Sequence, residues 1–527
     1  MNKIIFATAA LAFCMIFSGC RNGNGSSEDS DSTKDVALDT IPLPDTVYAS
    51  VDALNWEVLP YDSTTNGQLS DYTDYYANNK NGKMAFRANL KRDGDFGGTI
   101  KGRPSKIVVD WEFKTGTDFT PTSHGSWGGG SGWTGQPLYV EWPDSIANKF
   151  KATPSAKTTA DFGNKEIIVA SLCCRACFIN FETGKASREP LDIINPVKGT
   201  PTLDPHLTGM YYAGNALDCH EPAAHIAANL YKHEIVAKKP QREPNMNRNW
   251  PGSDSSPVVA GGFLFWPSEN GLIYKYEIGN GDLKVHSALR YAPKGGGGSG
   301  VESSICIYKN YGYFGDNQGH IICINLNTMK PVWYYDNHDD IDGTIVCEVV
   351  DGKPFVYTGC EVDRQGDIGN CTLVKLNGLT GEEVWCDTIP CTKFHLNDKH
   401  FDGGMYSSPL LGKGNCQGLL FTNICNDDSG NGNGQFYAVD TKTGKIVYKL
   451  KLKHYAWSSP VGFYNENNEL FIFQGDTNGN VYLIEGKTGN IIYTEHIGNN
   501  FESSPVVIGN ALVVGSRGES IYKMHIE

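Results

Sequence analysis

The sequence predicts an all-β fold: a β-propeller of four-stranded antiparallel blades, eight in number with seven as the alternative count. Three observations predict it. A strand–turn–strand unit recurs along the chain, a short hydroxyl-rich start precedes each copy, and the C-terminal unit lacks its fourth strand. An N-terminal strand is expected to supply that strand by pairing with the C-terminal blade.

Composition agrees. Glycine contributes 60 of 527 residues, Tyr 26, Phe 23 and Trp 10, while charged residues make up only 20%. This balance suits short strands and tight turns and excludes a helical bundle or coiled coil. A hydrophobic content of 40% excludes wholesale disorder. The formal charge of −14 leaves no broad attraction for nucleic acid. An anionic membrane surface would repel the chain as well, so any membrane attachment needs an anchor.

The elements follow in order. Met1-Asn2-Lys3 is a short positive start, and Ile4 to Phe17 is an uncharged run. A membrane span needs about twenty apolar residues, so this run reads as the core of a signal peptide. Phe17-Ser18-Gly19-Cys20 resembles the bacterial lipobox, with Phe17 where Leu is usual. That resemblance implies a lipoprotein signal peptide over 1–19 and lipid attachment at Cys20. Residues 20–46, rich in Ser, Asp, Gly and Asn, read as a lipid-anchored flexible tether. Residues 47–104 form an N-terminal extension, and 105–527 the propeller. The expected location is the bacterial outer membrane or cell surface, facing periplasm or exterior.

The repeat is legible as Ala176–Ser187, Gly271–Lys284, Gly319–Trp333, Cys371–Trp385, Gly434–Tyr448 and Gly479–Tyr493. Each alternates with period two and turns on a Thr-Gly or its equivalent, where Gly supplies positive φ. The starts are Ser255-Ser256-Pro257, Ser303-Ser304, Ser407-Ser408-Pro409, Ser458-Ser459-Pro460 and Ser503-Ser504-Pro505. Weaker copies are Gly199-Thr200-Pro201, Gly343-Thr344 and Gly135-Gln136-Pro137. A spacing of about 45 residues with four strands per unit is the propeller signature. The last unit stops at Glu527 after three strands, which would leave an open sheet edge. Lys106–Phe113, apolar and carrying Trp111, is predicted to pair with Ser520–His525 and close the ring.

The pattern (Y/C)-x-(V/I/L)-(D/N)-x-x-T-G-x-x-x-W with intervening S-S-P resembles the pyrroloquinoline-quinone-type propeller repeat. The resemblance implies one blade per repeat, with Trp of the fourth strand packed between blades. That family holds quinoprotein alcohol dehydrogenases and non-catalytic propellers, among them the lipoprotein of the outer-membrane β-barrel assembly machinery.

A repeat fixes architecture and leaves activity to individual sites. Cys173-Cys174-Arg175-Ala176-Cys177 invites comparison with the vicinal disulfide of quinoprotein dehydrogenases, against a reading as buried small hydrophobes or structural disulfides. As a zinc half-site, Cys174-x-x-Cys177 has no partner pair at matching spacing. In an oxidising compartment some of the remaining cysteines should pair; Cys360 with Cys371, flanking a hairpin loop, comes first, and Cys386 with Cys391 second. The acidic loops 336–343 and 426–434 are oxygen-rich but lack EF-hand spacing, so they read as solvated connections and no metal ligand is assigned. Trp127 and Trp133, in a Gly-rich loop, are candidates for stacking on a sugar or a partner, or for filling space between blades. Lys294–Gly300 lacks the Gly-Lys-Ser/Thr of a phosphate loop. No catalytic residue is assigned: H-E-x-x-H and G-x-S-x-G are both missing from the sequence.

The leading reading is a binding or scaffold protein of the cell envelope, with outer-membrane protein assembly as one such role, envelope proteins as partners and no cofactor. The alternatives are a quinone-dependent dehydrogenase, which would need pyrroloquinoline quinone and Ca²⁺, and a surface lipoprotein that captures glycans or nutrients.

Overall fold

The computed structural model describes residues 40–527 apart from 49, 62, 64, 78, 280, 397 and 398. The expected signal peptide, Cys20 and most of the tether lie outside the described residues.

The chain folds into eight antiparallel blades. Blade I spans 138–192, II 202–240, III 258–293 and IV 306–336; V spans 346–392, VI 410–451 and VII 461–496. Blade VIII combines Val506–Ile508, Ala511–Gly515 and Ser520–Ile526 with Ile107–Lys114 as its outermost strand. The ring closes as the sequence predicts, with Ile107 opposite Ile526 and Lys114 opposite Ser520. A bulge between Val109 and Trp111 shifts the register there. Such a closure removes the edge that an unpaired last blade would expose.

The turn glycines and the fourth-strand aromatics meet between blades. The indole N–H of Trp111 donates to Phe181 O at 3.0 Å, that of Trp333 to Gly378 O at 2.9 Å and that of Trp385 to Thr441 O at 2.9 Å. Each acceptor lies in the turn of the following blade. A Cβ on Gly381 would stand 2.9 Å from Trp333, and one on Gly444 2.8 Å from Trp385. Glycine is needed there twice over, for its φ of +69° or +74° and for the close approach of the ring.

The hydroxyl starts build a second device. The N–H of Gln136 donates to Thr200 Oγ1, Thr200 to Ser256 Oγ, Ser256 to Ser304 Oγ and Ser304 to Thr344 Oγ1, all at 2.9–3.0 Å. Ser408 donates to Ser459 Oγ at 3.0 Å and Ser459 to Ser504 Oγ at 3.4 Å. Ser503 Oγ donates to Gly135 O and joins blade VIII to blade I. A small hydroxyl residue recurs because it fits beside the axis and accepts from the preceding blade, where water cannot reach.

The N-terminal extension is woven into the ring. Leu54–Pro60 adds a fifth strand to the outer edge of blade III. Residues 82–99 then circle inside the channel and meet the inner strands in blade order. Gly82–Lys83 pairs with blade I, and Met84 O accepts from Leu203 of blade II. Leu90, Lys91 and Asp93 carbonyls accept from Ile307, Cys347 and Leu411 of blades IV, V and VI. Gly98–Thr99 runs parallel to blade VII, and Thr99 donates to Gly509 of blade VIII. Blade III is reached by Tyr76, whose hydroxyl accepts from Val259 N–H. The segment thus caps the open inner edges that eight converging strands present. Two buried guanidiniums hold it: Arg87 donates to Pro409 O and Pro460 O, and Arg92 to Ile305 O.

Candidate functional site

The residue immediately before each hydroxyl start lies at the mouth of the channel, on the side away from the axial segment. From blade I to blade VIII these are Thr134, Lys198, Asp254, Glu302, Asp342, Tyr406, Trp457 and Glu502. Several of them, with residues of nearby connections, line a cavity of about 800 Å³. Its walls carry six carboxylates, Glu302, Asp340, Asp342, Glu361, Asp363 and Asp402, against the guanidiniums of Arg248 and Arg364. Tyr406 and Trp457 form an aromatic side, stacked with ring centroids 4.8 Å apart.

The acidic loop 336–343 divides its labour. Asp339 is fully buried and accepts N–H groups of Asp363, Arg364 and Gln365, so it shapes the wall. Asp340 and Asp342 face the cavity, and with Glu302 they bring carboxylate oxygens within 4.8 Å of one another. Loop 426–434 contributes nothing to this cavity. Asp427 and Asp428 bond instead to Gln435, Tyr437 and Lys449 of their own blade.

Burial and like charge push these acids up. Asp342 rises from 3.8 to about 7, through burial first and the Glu302 charge second, with Lys198 opposing. Glu361 rises well above its usual range through burial and the neighbouring Asp342 and Asp340. Burial, Asp342 and Glu302 do the same to Asp340. The Asp342 and Glu361 carboxyls are within hydrogen-bonding reach of each other. Two carboxylates so placed need a shared proton or a cation between them. Asp340 Oδ1 and Glu361 Oε1 are buried with no hydrogen-bond partner among the described residues. A second acidic group, Asp363 with Asp402, is already bridged by Lys393 at 2.9 and 3.1 Å.

Pyrroloquinoline quinone is a tricarboxylate. The cavity opposes it with carboxylates that outnumber cations, and Cys173 and Cys174 line a different cavity. The residues present do not fit that group. They fit a cation, through hard oxygen donors in a shaped, desolvated wall.

The structure also locates the residues singled out from sequence. Trp133 is only 4% exposed, and its indole N–H donates to Tyr406 O at 3.2 Å, far along the chain. It is not a surface residue: an indole placed beside the axis finds its acceptor on another blade. Trp127 is half-buried, and the Lys198 ammonium sits 5.8 Å from its ring centre and 5.7 Å from that of Trp133. Lys198 also pairs with Asp254 at the same mouth. Cys360 and Cys371 are buried free thiols that lie side by side. Cys386 and Cys391 lie on one strand, Glu383–Thr392, five residues apart, Cys386 exposed and Cys391 buried. Alternation sets them on opposite faces, so they do not pair with each other. The reading from sequence missed the mouth residues because it treated the hydroxyl pair as the start of each blade. The signal was one position earlier.

Among the described residues, no helix is long and apolar enough to cross a membrane. No protein-family model and no curated protein matches the chain. Solved structures do. BamB from Moraxella catarrhalis shares 14% identity, with a TM-score of 0.48, over 70% of this chain and 95% of that one. Quinohemoprotein alcohol dehydrogenase from Comamonas testosteroni shares 12% identity, with a TM-score of 0.59, over 85% of this chain and 81% of that one. At such identity the likeness speaks for fold alone: this chain is an eight-bladed propeller similar in architecture to the pyrroloquinoline-quinone-type propellers.

Proposed function

We propose that this protein is an exported, lipid-anchored binding propeller of the bacterial envelope, and that it takes a cation at the axial mouth. The observation that carries the binding reading is the cluster of half-buried carboxylates around the buried Glu361, with the unpartnered oxygens of Asp340 and Glu361. Hard oxygen donors on a rigid ring suit Ca²⁺. The ion would complete the wall, and Tyr406 and Trp457 would offer the adjoining aromatic surface to a ligand or to an envelope partner. Anchoring rests on the lipobox-like Phe17-Ser18-Gly19-Cys20.

Isothermal titration of the full chain with Ca²⁺ tests the site. One equivalent should bind to the wild type, and Asp342→Asn and Glu361→Gln should each weaken binding at least tenfold. Failure of the folded wild type to bind Ca²⁺ would remove the cation from the proposal. Metabolic labelling with a fatty acid, compared with Cys20→Ala, tests the anchor. In-cell crosslinking identifies envelope partners, and repeated recovery of none would count against the scaffold role.

A further inference from the structure

Away from the axis, three connections converge. Cys174 occupies the turn between Lys165–Ala170 and Arg175–Asn180 of blade I, with φ +63°. A residue bearing a Cβ adopts that conformation at a cost. Cys219 and His220 lie between Met210–Gly214 and Ala224–Asn229 of blade II. Asn195, fully buried, holds them in place: its Oδ1 accepts the N–H groups of Cys219 at 3.1 Å, His220 at 2.9 Å and Glu221 at 3.3 Å. Asp118 follows the closing strand of blade VIII, and its Oδ2 accepts from His220 Nε2 at 2.7 Å.

The ligand atoms of Cys174, Cys219 and His220 all lie within 4.8 Å of one another. Cys174 and His220 border a cavity of about 380 Å³ whose lining includes Asp118, Asp192 and Glu221 against Arg175. Two sulfurs and one imidazole select a zinc-class ion over Ca²⁺, which takes oxygen. Tetrahedral zinc places such donors roughly 3.5–4 Å apart, so small side-chain movements close these onto an ion. A carboxylate bonded to the imidazole is the arrangement that orients a metal-bound histidine. The partner of Cys174 is thus Cys219 of the next blade rather than Cys177, so sequence spacing could not select it.

We propose that Cys174, Cys219 and His220 bind a zinc-class divalent cation, with Asp118 as the positioning carboxylate, and that the ion ties blades I and II together beside the end of the closing strand. Binding replaces two S–H bonds with two metal–sulfur bonds. Both protons go to solvent, and no oxidant or reductant is consumed.

Cobalt(II) is the probe, added to the full chain after reduction and removal of metal. The expected result is one equivalent bound, with tetrahedral d–d bands and a thiolate-to-cobalt charge-transfer band that zinc abolishes. Cys219→Ser should remove the charge-transfer contribution of one thiolate and weaken binding. Asp118→Asn should weaken binding by roughly 10–100-fold. His220→Ala, at an exposed position, gives a second variant should Cys219→Ser fail to fold, and it should also weaken binding. Cys386→Ser should leave the titration unchanged. Folded wild-type protein that shows no sulfur–cobalt band overturns the proposal. So does a Cys174–Cys219 disulfide in protein isolated with thiols blocked at lysis.

Discussion

The Asp342→Asn substitution should change how stability depends on pH. In the folded protein Asp342 rises from 3.8 to about 7. A raised folded-state value means that the protonated group favours the fold: its contribution is fully present below pH 3.8 and is lost as pH rises through about 7. Each tenfold change in proton affinity is worth roughly 1.4 kcal/mol, so ionising Asp342 costs the fold about 4 kcal/mol. Asp342 is half-buried in the cavity wall, so solvent screening lowers this figure and about 4 kcal/mol is its upper bound. Asparagine keeps the shape and cannot ionise. Urea unfolding without divalent cation should therefore show the variant gaining on the wild type between pH 4 and pH 8, up to about 4 kcal/mol less any lost hydrogen bond. Adding Ca²⁺ at pH 8 should restore the wild type, by about 2.7 kcal/mol at one hundred times its dissociation constant, and the tenfold-weaker variant by no more than about 1.4 kcal/mol. Glu302, Glu361 and Lys198 face the same carboxyl, so they should be kept unchanged throughout. Superimposed wild-type and variant profiles from pH 4 to pH 8 would refute the reasoning.

Further perturbations separate the structural devices. Gly381→Ala, with φ +69° and Trp333 against the new methyl, should lower stability by about 2–4 kcal/mol, whereas Gly352→Ala, with φ +77° and open space, should cost only the roughly 1–2 kcal/mol of backbone strain; thermal denaturation of the pair checks this. Arg87→Ala removes charged donors from Pro409 O and Pro460 O and should cost about 3 kcal/mol or more in urea titration, since each such bond is worth ~1.5–3 kcal/mol. Deleting residues 101–115 should collapse thermal stability, and an unchanged melting temperature would rule out closure by this strand. Cys386 is the exposed thiol among the described residues, and burial of its sulfur beside Glu383 and Asp387 raises it to about 11. Native alkylation should mark it first, with a rate still climbing above pH 9.

The ring was legible because it repeats. Eight starts, seven of them with a hydroxyl residue, correspond to eight inner strands, and the three-stranded C-terminal unit points to Ile107–Lys114, one residue from the expected Lys106–Phe113. The extension was legible as an appendage and no more. At blades II, IV, V and VI its contacts are single carbonyls, those of Met84, Leu90, Lys91 and Asp93, accepting one inner-edge N–H each, so Leu90 or Asp93 shows no pattern that betrays it. The mouth was half legible. The acidic loop 336–343 stood out by composition, but Glu302, Asp342 and Trp457 share a position rather than a residue type. For Trp133 the sequence left stacking and space-filling both open, because its carbonyl partner at residue 406 is distant in sequence.

The axial segment has a consequence for assembly. Residues 82–99 act as a spindle: they precede the blades in the chain, yet they bond to seven of the eight, with Tyr76 reaching blade III. The latch that keeps them in place, Ile107–Lys114 against Ser520–Ile526, joins parts of the chain made at opposite ends of synthesis. Blades can form one by one as hairpins, but the spindle is enclosed only when the latch shuts. Such long-range closure is slow and leaves strand edges open meanwhile. The protein therefore depends on a late, all-or-none step, and a chain stalled in its last blade would hold seven finished blades around an axle that can still slip out.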